Sequence, residues 1–147
     1  MSKVTALYHI VFCTKGREMT IPKAVREDLF RFIWKQISQL KCKLIRIGGI
    51  SNHVHMLIDL NQSVALAQLM KNSKGLSSRW MQTDSRFNMF KGWADGYYGC
   101  TVSPGDKRAV IEYIKSQEAH HYGIDIAEEL KHMCEYADLQ YDERDMV

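Results

Sequence analysis

The chain has 147 residues, of which 46% are hydrophobic and 25% charged, with a formal net charge of +3. This balance suits one domain with a real core and excludes a disordered chain, and the mild positive charge is compatible with a polyanionic partner. No apolar run approaches the ~18 residues of a membrane span, and Cys13, Cys42, Cys100 and Cys134 form no CxxC pair. With no secretion signal, the chain reads as a reduced, cytoplasmic protein without a membrane partner.

In chain order, Val4 to Cys13 is rich in β-branched and aromatic residues and reads as a first strand. A polar loop, TKGREMT, follows over residues 14–20, and Pro22 sits where a first helical turn tolerates it. Val25, Leu29, Phe32, Ile33, Ile37 and Leu40 then keep helical spacing, which predicts an amphipathic helix over residues 22–40. Leu44 to Ile50 and Val54 to Leu60 read as strands, joined at Ser51-Asn52 by a tight hairpin turn. Ser63 suits the N-cap of a second helix from Val64 to about Gln82, with Leu66, Leu69, Met70, Ser73, Leu76 and Trp80 on its inner face. Residues 83–96 lack periodicity and read as a loop or arm. Tyr97 to Val102 is a fourth strand. Ser103-Pro104-Gly105-Asp106 carries the signature of a helix start, Ser as N-cap and Pro at the first helical position. That helix is expected to reach His120 or His121 and to stop at Gly123. A last helix over Ile126 to Tyr136 leads into a polar tail.

The order β-α-β-β-α-β with appended C-terminal helices predicts an α+β fold of the ferredoxin-like or RRM-like kind. It implies a four-stranded antiparallel sheet with two helices on one face. Residues 1–147 read as one domain, with a helical tail over residues 122–147. In RRM-type proteins the other sheet face holds single-stranded nucleic acid.

The stretch SNHVHMLIDL, Ser51 to Leu60, places His53 and His55 two residues apart. In a strand they share one face, with Val54 and Met56 turned to the core. Two imidazoles side by side make a bidentate site for a divalent metal. A pair of solvated surface histidines remains the competing reading. Downstream, Tyr113 and Gln117 in EYIKSQ lie one helical turn apart on one face. By themselves they read as a half-buried aromatic and a solvated amide. His9, His120 and His121 read as non-ligands, the last two favoured at a helix C-terminus.

Taken together, HVH in a strand and Y-I-x-x-Q in a helix about sixty residues later resemble the single-tyrosine HUH transposases of small insertion sequences, including the REP-associated tyrosine transposases. YHIVFCTKGR near the start, SKGLSSR in the second helix and WADGYYGCTVS before the tyrosine helix are similar to that family in the same order, over roughly residues 4 to 121. The resemblance implies that Tyr113 is the nucleophile and that His53, His55 and Gln117 hold a divalent metal, Mg²⁺ or Mn²⁺. Two imidazoles also favour softer ions. It implies cleavage and rejoining of single-stranded DNA at hairpin-marked element ends through a 5′-phosphotyrosine. It further implies a homodimer, with the tyrosine helix serving its own chain or its partner. Tyrosine has an ordinary pKa near ~10, so the nucleophile needs help, for which the metal and Lys115 are candidates.

Charge suggests the DNA contacts: Lys15 and Arg17 in the first loop, Lys71, Lys74 and Arg79 on the second helix, and Lys107, Arg108 and Lys115 around the tyrosine. Trp93, Tyr97 and Tyr98 read as base-stacking platforms or as core or interface aromatics. Three other functions stay on the list. A non-enzymatic RRM-like binding module would not need Tyr113. Another HUH nicking enzyme usually carries further domains. A metal-dependent phosphodiesterase would form no covalent adduct.

Overall fold

A computed structural model describes residues 1–120 and 125–147, with His120 described only as part of its helix. Its four strands are β1 (Leu7–Cys13), β2 (Lys43–Ile50), β3 (His53–Asp59) and β4 (Tyr98–Val102). They form one sheet in the order β2-β3-β1-β4, and every neighbouring pair is antiparallel. The helices are α1 (Arg26–Gln39), α2 (Leu66–Gln82), α3 (Lys107–Lys115), α4 (Gln117–His120) and α5 (Ile126–Tyr136). This is the predicted α+β, ferredoxin-like arrangement. None of the described helices is long and apolar enough to cross a membrane.

Alternation along the two central strands gives the sheet its two faces. Ile10, Phe12, Val54, Met56 and Ile58 point to one side. There they meet Leu29, Phe30, Ile33 and Ile37 of α1 and Leu69, Met70 and Met81 of α2. The opposite face carries Leu7 and Leu57, packed with Ile114 of α3, and Val11 and Cys13, packed with Ile126, Leu130, Met133 and Cys134 of α5. His53 and His55 lie on that second face and are fully buried. The face that an RRM-like module would offer to nucleic acid is therefore covered by α3 and α5.

Several boundaries differ from the sequence reading. β1 starts at Leu7 rather than Val4. Pro22 is extended (φ −65°, ψ 141°), so a 3-10 turn over Lys23–Val25 precedes α1. Ser63 does not cap α2, whose first residue follows Ala65. The Ser63 amide instead donates to Asn61 Oδ1 (2.8 Å) within a turn. On α2 the inner stripe runs through Leu69, Met70, Ser73, Ser77 and Met81. Leu76 is exposed, and Trp80 is half-buried, stacked on Phe32 with ring centroids 4.8 Å apart. Ser103 likewise makes no side-chain cap before the 3-10 turn Pro104–Asp106. The tyrosine helix breaks at Ser116, dividing α3 from α4, where the Ser116 hydroxyl donates to the Tyr113 carbonyl (3.1 Å). Side-chain competition of this kind interrupts a helical ladder. The expected stop at Gly123, and His121, lie outside the described residues.

Gly48 lets this broken helix come close to β2. A Cβ there would stand 2.7 Å from the Ile114 carbonyl oxygen. The glycine thus sets how near α3 carries Tyr113 and Gln117 to the histidine strand.

Candidate active site

β3 supplies His53 and His55, and β1 sets their surroundings. Cys13 pairs with His53 and Val11 with His55 across the ladder. His9, one diagonal step along β1, stacks on His55 with ring centroids 5.1 Å apart, and its Nε2 lies 2.9 Å from His55 Nδ1. Burial, then the neighbouring His55, pushes the His9 imidazole down to about 3, so it is neutral at physiological pH. Burial also pushes the Cys13 thiol up to about 12, so it stays protonated beside the histidines.

The tyrosine helix closes one side. Tyr113 is half-buried, with its ring centroid 5.6 Å from that of His55 in the same chain. Gln117, 1% exposed, places Oε1 3.0 Å from His53 Nε2. The structure therefore brings all four resemblance-derived residues together within one chain.

α5 closes the other side and adds a residue the sequence reading lacked. Glu129, 1% exposed, lies among Ile126, Leu130 and Met133 on the helix's inner face. Its Oε1 is 2.8 Å from His55 Nε2 and accepts a hydrogen bond from the Tyr113 hydroxyl at 2.8 Å. Burial, followed by this carboxylate, holds the Tyr113 phenol well above its ordinary range. The signal in the sequence was one acid at a core position of an amphipathic helix, which rarely goes unpaired. Lys115, by contrast, is exposed, with Nζ 3.7 Å from Glu112. His9, read from the sequence as a non-ligand, lies outside the ligand cluster but touches one of its members.

His53, His55 and Glu129 each offer a ligand atom, and these atoms lie within 4.8 Å of one another. Two imidazoles, a carboxylate and the Gln117 amide oxygen form a mixed N/O donor set that fits Mn²⁺ or a neighbouring divalent ion, and less selectively Mg²⁺. A cavity of about 480 Å³ opens beside Tyr113 and Glu129, walled by Val102, Val110, Met133 and Tyr136.

The eight cations read as DNA contacts are spread over the loop after β1, α2 and both ends of α3. Arg17 donates from Nε to the Met146 carbonyl (3.3 Å) and from Nη2 to the Asp145 carbonyl, so it fastens the C-terminal segment. Lys74 donates to the carbonyls of Ala94 (2.7 Å) and Gly96 (2.8 Å), holding the arm that precedes β4. Lys15, Lys71 and Arg79 are exposed. Lys115 belongs to α3, across the sheet from α2. The three aromatics are taken up in packing. Trp93 stands edge-on to Phe12 and donates to Ser77 Oγ (3.0 Å). Tyr97 packs on the core, and the buried Tyr98 donates to the Met133 carbonyl (3.3 Å).

A ferredoxin-like sheet that buries paired histidines opposite a tyrosine and an amide from one helical segment is the architecture of a single-tyrosine transposase. Residues 2–117 match the family model described as "Transposase IS200 like", and the chain belongs to that family. It is 26% identical over 115 residues to the ISDra2 transposase TnpA of Deinococcus radiodurans, covering 75% of this chain and 82% of the relative. It is also 26% identical over 115 residues to the transposase for insertion sequence element IS200 of Salmonella typhimurium, covering 75% of each. Among solved structures, a transposase from Deinococcus radiodurans superposes with a TM-score of 0.62 at 21% identity, over 79% of this chain and 93% of that one. A REP-associated tyrosine transposase bound to a REP hairpin superposes with a TM-score of 0.64 at 13% identity, over 84% and 76%. The family match ends at Gln117, so α5 and its Glu129 lie beyond it.

Proposed function

We propose that this IS200-like transposase cleaves and rejoins single-stranded DNA at hairpin-marked element ends through a 5′-phosphotyrosine on Tyr113. The observation that carries the reading is the Tyr113 hydroxyl within 2.8 Å of Glu129 Oε1, itself 2.8 Å from His55 Nε2. In the reaction, Tyr113 Oη bonds to phosphorus and the bond from phosphorus to the 3′ oxygen breaks. The phenolic proton passes to Glu129, and the departing 3′ oxygen takes up a proton as a 3′-OH. One phosphate ester replaces another, so a second 3′-OH can reverse the step without ATP.

His53, His55, Gln117 and Glu129 would hold Mn²⁺ or Mg²⁺. The carboxylate can serve both ion and phenol because it has two oxygens. When bound, the ion supplies Lewis-acid polarisation of a non-bridging phosphate oxygen and aligns the phosphate for attack. The exposed Lys15, Lys71, Arg79 and Lys115 would contact DNA phosphates, while Arg17 and Lys74 brace the C-terminal segment and the arm before β4. Hairpin DNA as the substrate is supported by the relative bound to a REP hairpin. We further propose a homodimer acting in the cytoplasm, as the resemblance implies, and the same-chain geometry supports a tyrosine serving its own histidines.

The test is a denaturing gel of the protein with end-labelled single-stranded DNA carrying the element end, with Mn²⁺ or Mg²⁺, beside Tyr113→Phe. A metal-dependent covalent band absent from Tyr113→Phe is expected. Cleavage that persists in Tyr113→Phe without an adduct would instead mean hydrolysis by water.

A further inference from the structure

We infer that Asn52 is a positioning residue that fixes the tautomer of His53, so that Nε2 is unprotonated and directed at the same point as the Gln117 amide oxygen. This rests on the metal reading above. Asn52 is buried in the hairpin turn between β2 and β3, and its amide has two faces with different duties. Its Nδ2 lies 3.2 Å from the Arg17 carbonyl oxygen, which can only accept, so the NH₂ group must face that way. Its Oδ1 then faces His53 Nδ1 at 2.8 Å, and an amide oxygen can only accept. The imidazole must carry its proton on Nδ1. A neutral ring has one such proton, so Nε2 presents a lone pair.

The same logic orients Gln117 from the other side. Its Nε2 donates to the Tyr113 carbonyl at 3.4 Å, which turns Oε1 toward His53. Two acceptors, His53 Nε2 and Gln117 Oε1, thus face each other at 3.0 Å in a buried site. Such a pair repels unless a cation lies within reach of both. Adjacent ligands of an octahedral ion, each about 2.1 Å from it, are themselves about 3 Å apart. Asn52 and Gln117 therefore hold an acceptor pair at ligand spacing. Arg17, whose carbonyl orients Asn52, joins the β1 loop to this arrangement while its guanidinium grips the Asp145 and Met146 carbonyls. Outer partners that orient a metal-bound histidine commonly account for ~10–100-fold in metal affinity.

Two measurements test this. Nitrogen NMR of the metal-free protein reads the His53 tautomer directly. The Nδ1-protonated form is expected in the wild type, and an Nε2-protonated ring would overturn the inference. Calorimetric Mn²⁺ titration then compares Asn52→Ala with Asn52→Asp. Both lose the donation to the Arg17 carbonyl, but only Asp keeps an oxygen for His53 Nδ1–H. Asn52→Ala is expected to bind Mn²⁺ ~10–100-fold more weakly, with Asn52→Asp within a few-fold of wild type or tighter. Equal losses in both variants would make Asn52 a loop brace and overturn its positioning role. A wild type that binds no Mn²⁺ would sink the metal reading, and the nitrogen signals would still decide the tautomer.

Discussion

The two faces of the sheet solve different problems with the same strands. Toward α1 and α2, β1 and β3 present Ile10, Phe12, Val54, Met56 and Ile58, a face closed by shape and apolar area alone. Toward α3 and α5, the alternate residues are His9, His53 and His55, flanked by Leu7, Leu57, Val11 and Cys13. That second face is just as buried at His53 and His55, but its polar groups must satisfy one another there. A face filled with aliphatic side chains tolerates rearrangement at a cost in stability. A face filled with imidazoles, a phenol and a carboxylate is specified by hydrogen-bond direction, and an error there costs chemistry first.

The sharpest way to break this contrast is on the polar face. Tyr113→Phe removes one oxygen, and all covalent adduct should vanish while the unfolding midpoint stays close to wild type. A collapse of the fold would mean that the phenol's bond to Glu129 is chiefly structural. Glu129→Gln keeps the shape and removes the proton acceptor, so the single-turnover rate of adduct formation should fall ~10²-fold or more. An unchanged or faster rate would take Glu129 out of the proton path. On the apolar face, Met56→Ala should lower stability by about 2–5 kcal/mol in denaturant titration, with Mn²⁺ affinity preserved. Loss of metal binding at full stability would show that the two faces are not separable.

A smaller effect separates the faces by pH. His9 takes up a proton near ~6.5 in the unfolded chain but only near about 3 when folded. Between those values the unfolded chain binds more protons, so stability is full above the higher value and declines as pH falls toward the lower. Denaturant titrations of the metal-free protein at pH 7 and pH 4.5 should show this decline, and His9→Gln should lessen it. The smallest effect concerns the surface. Lys71→Ala, at an exposed position on α2, should weaken DNA binding only a few-fold and reduce its salt dependence by about one phosphate contact. No change in the salt slope would remove α2 from the interface.

Much of this is legible in the chain itself. Alternation in the strands and helical spacing in α1, α2 and α5 depend on residues near in sequence, so order, fold class and the facing of His53 and His55 followed from pattern. The Tyr113 and Gln117 spacing survived even though Ser116 breaks the helix between them, because one turn still separates the pair. What pattern could not supply was the company each residue keeps. Glu129 comes from 76 residues beyond His53, and His9 from 44 before it. Only sheet register and the packing of α5 place them in contact. Arg17 and Lys74 read as phosphate-binding cations from local charge, whereas the carbonyls that engage them belong to distant segments. Local pattern along the chain dictates which side chains face the same way. Tertiary structure decided which of them meet, because convergence of a buried site depends on long-range closure that no local periodicity encodes.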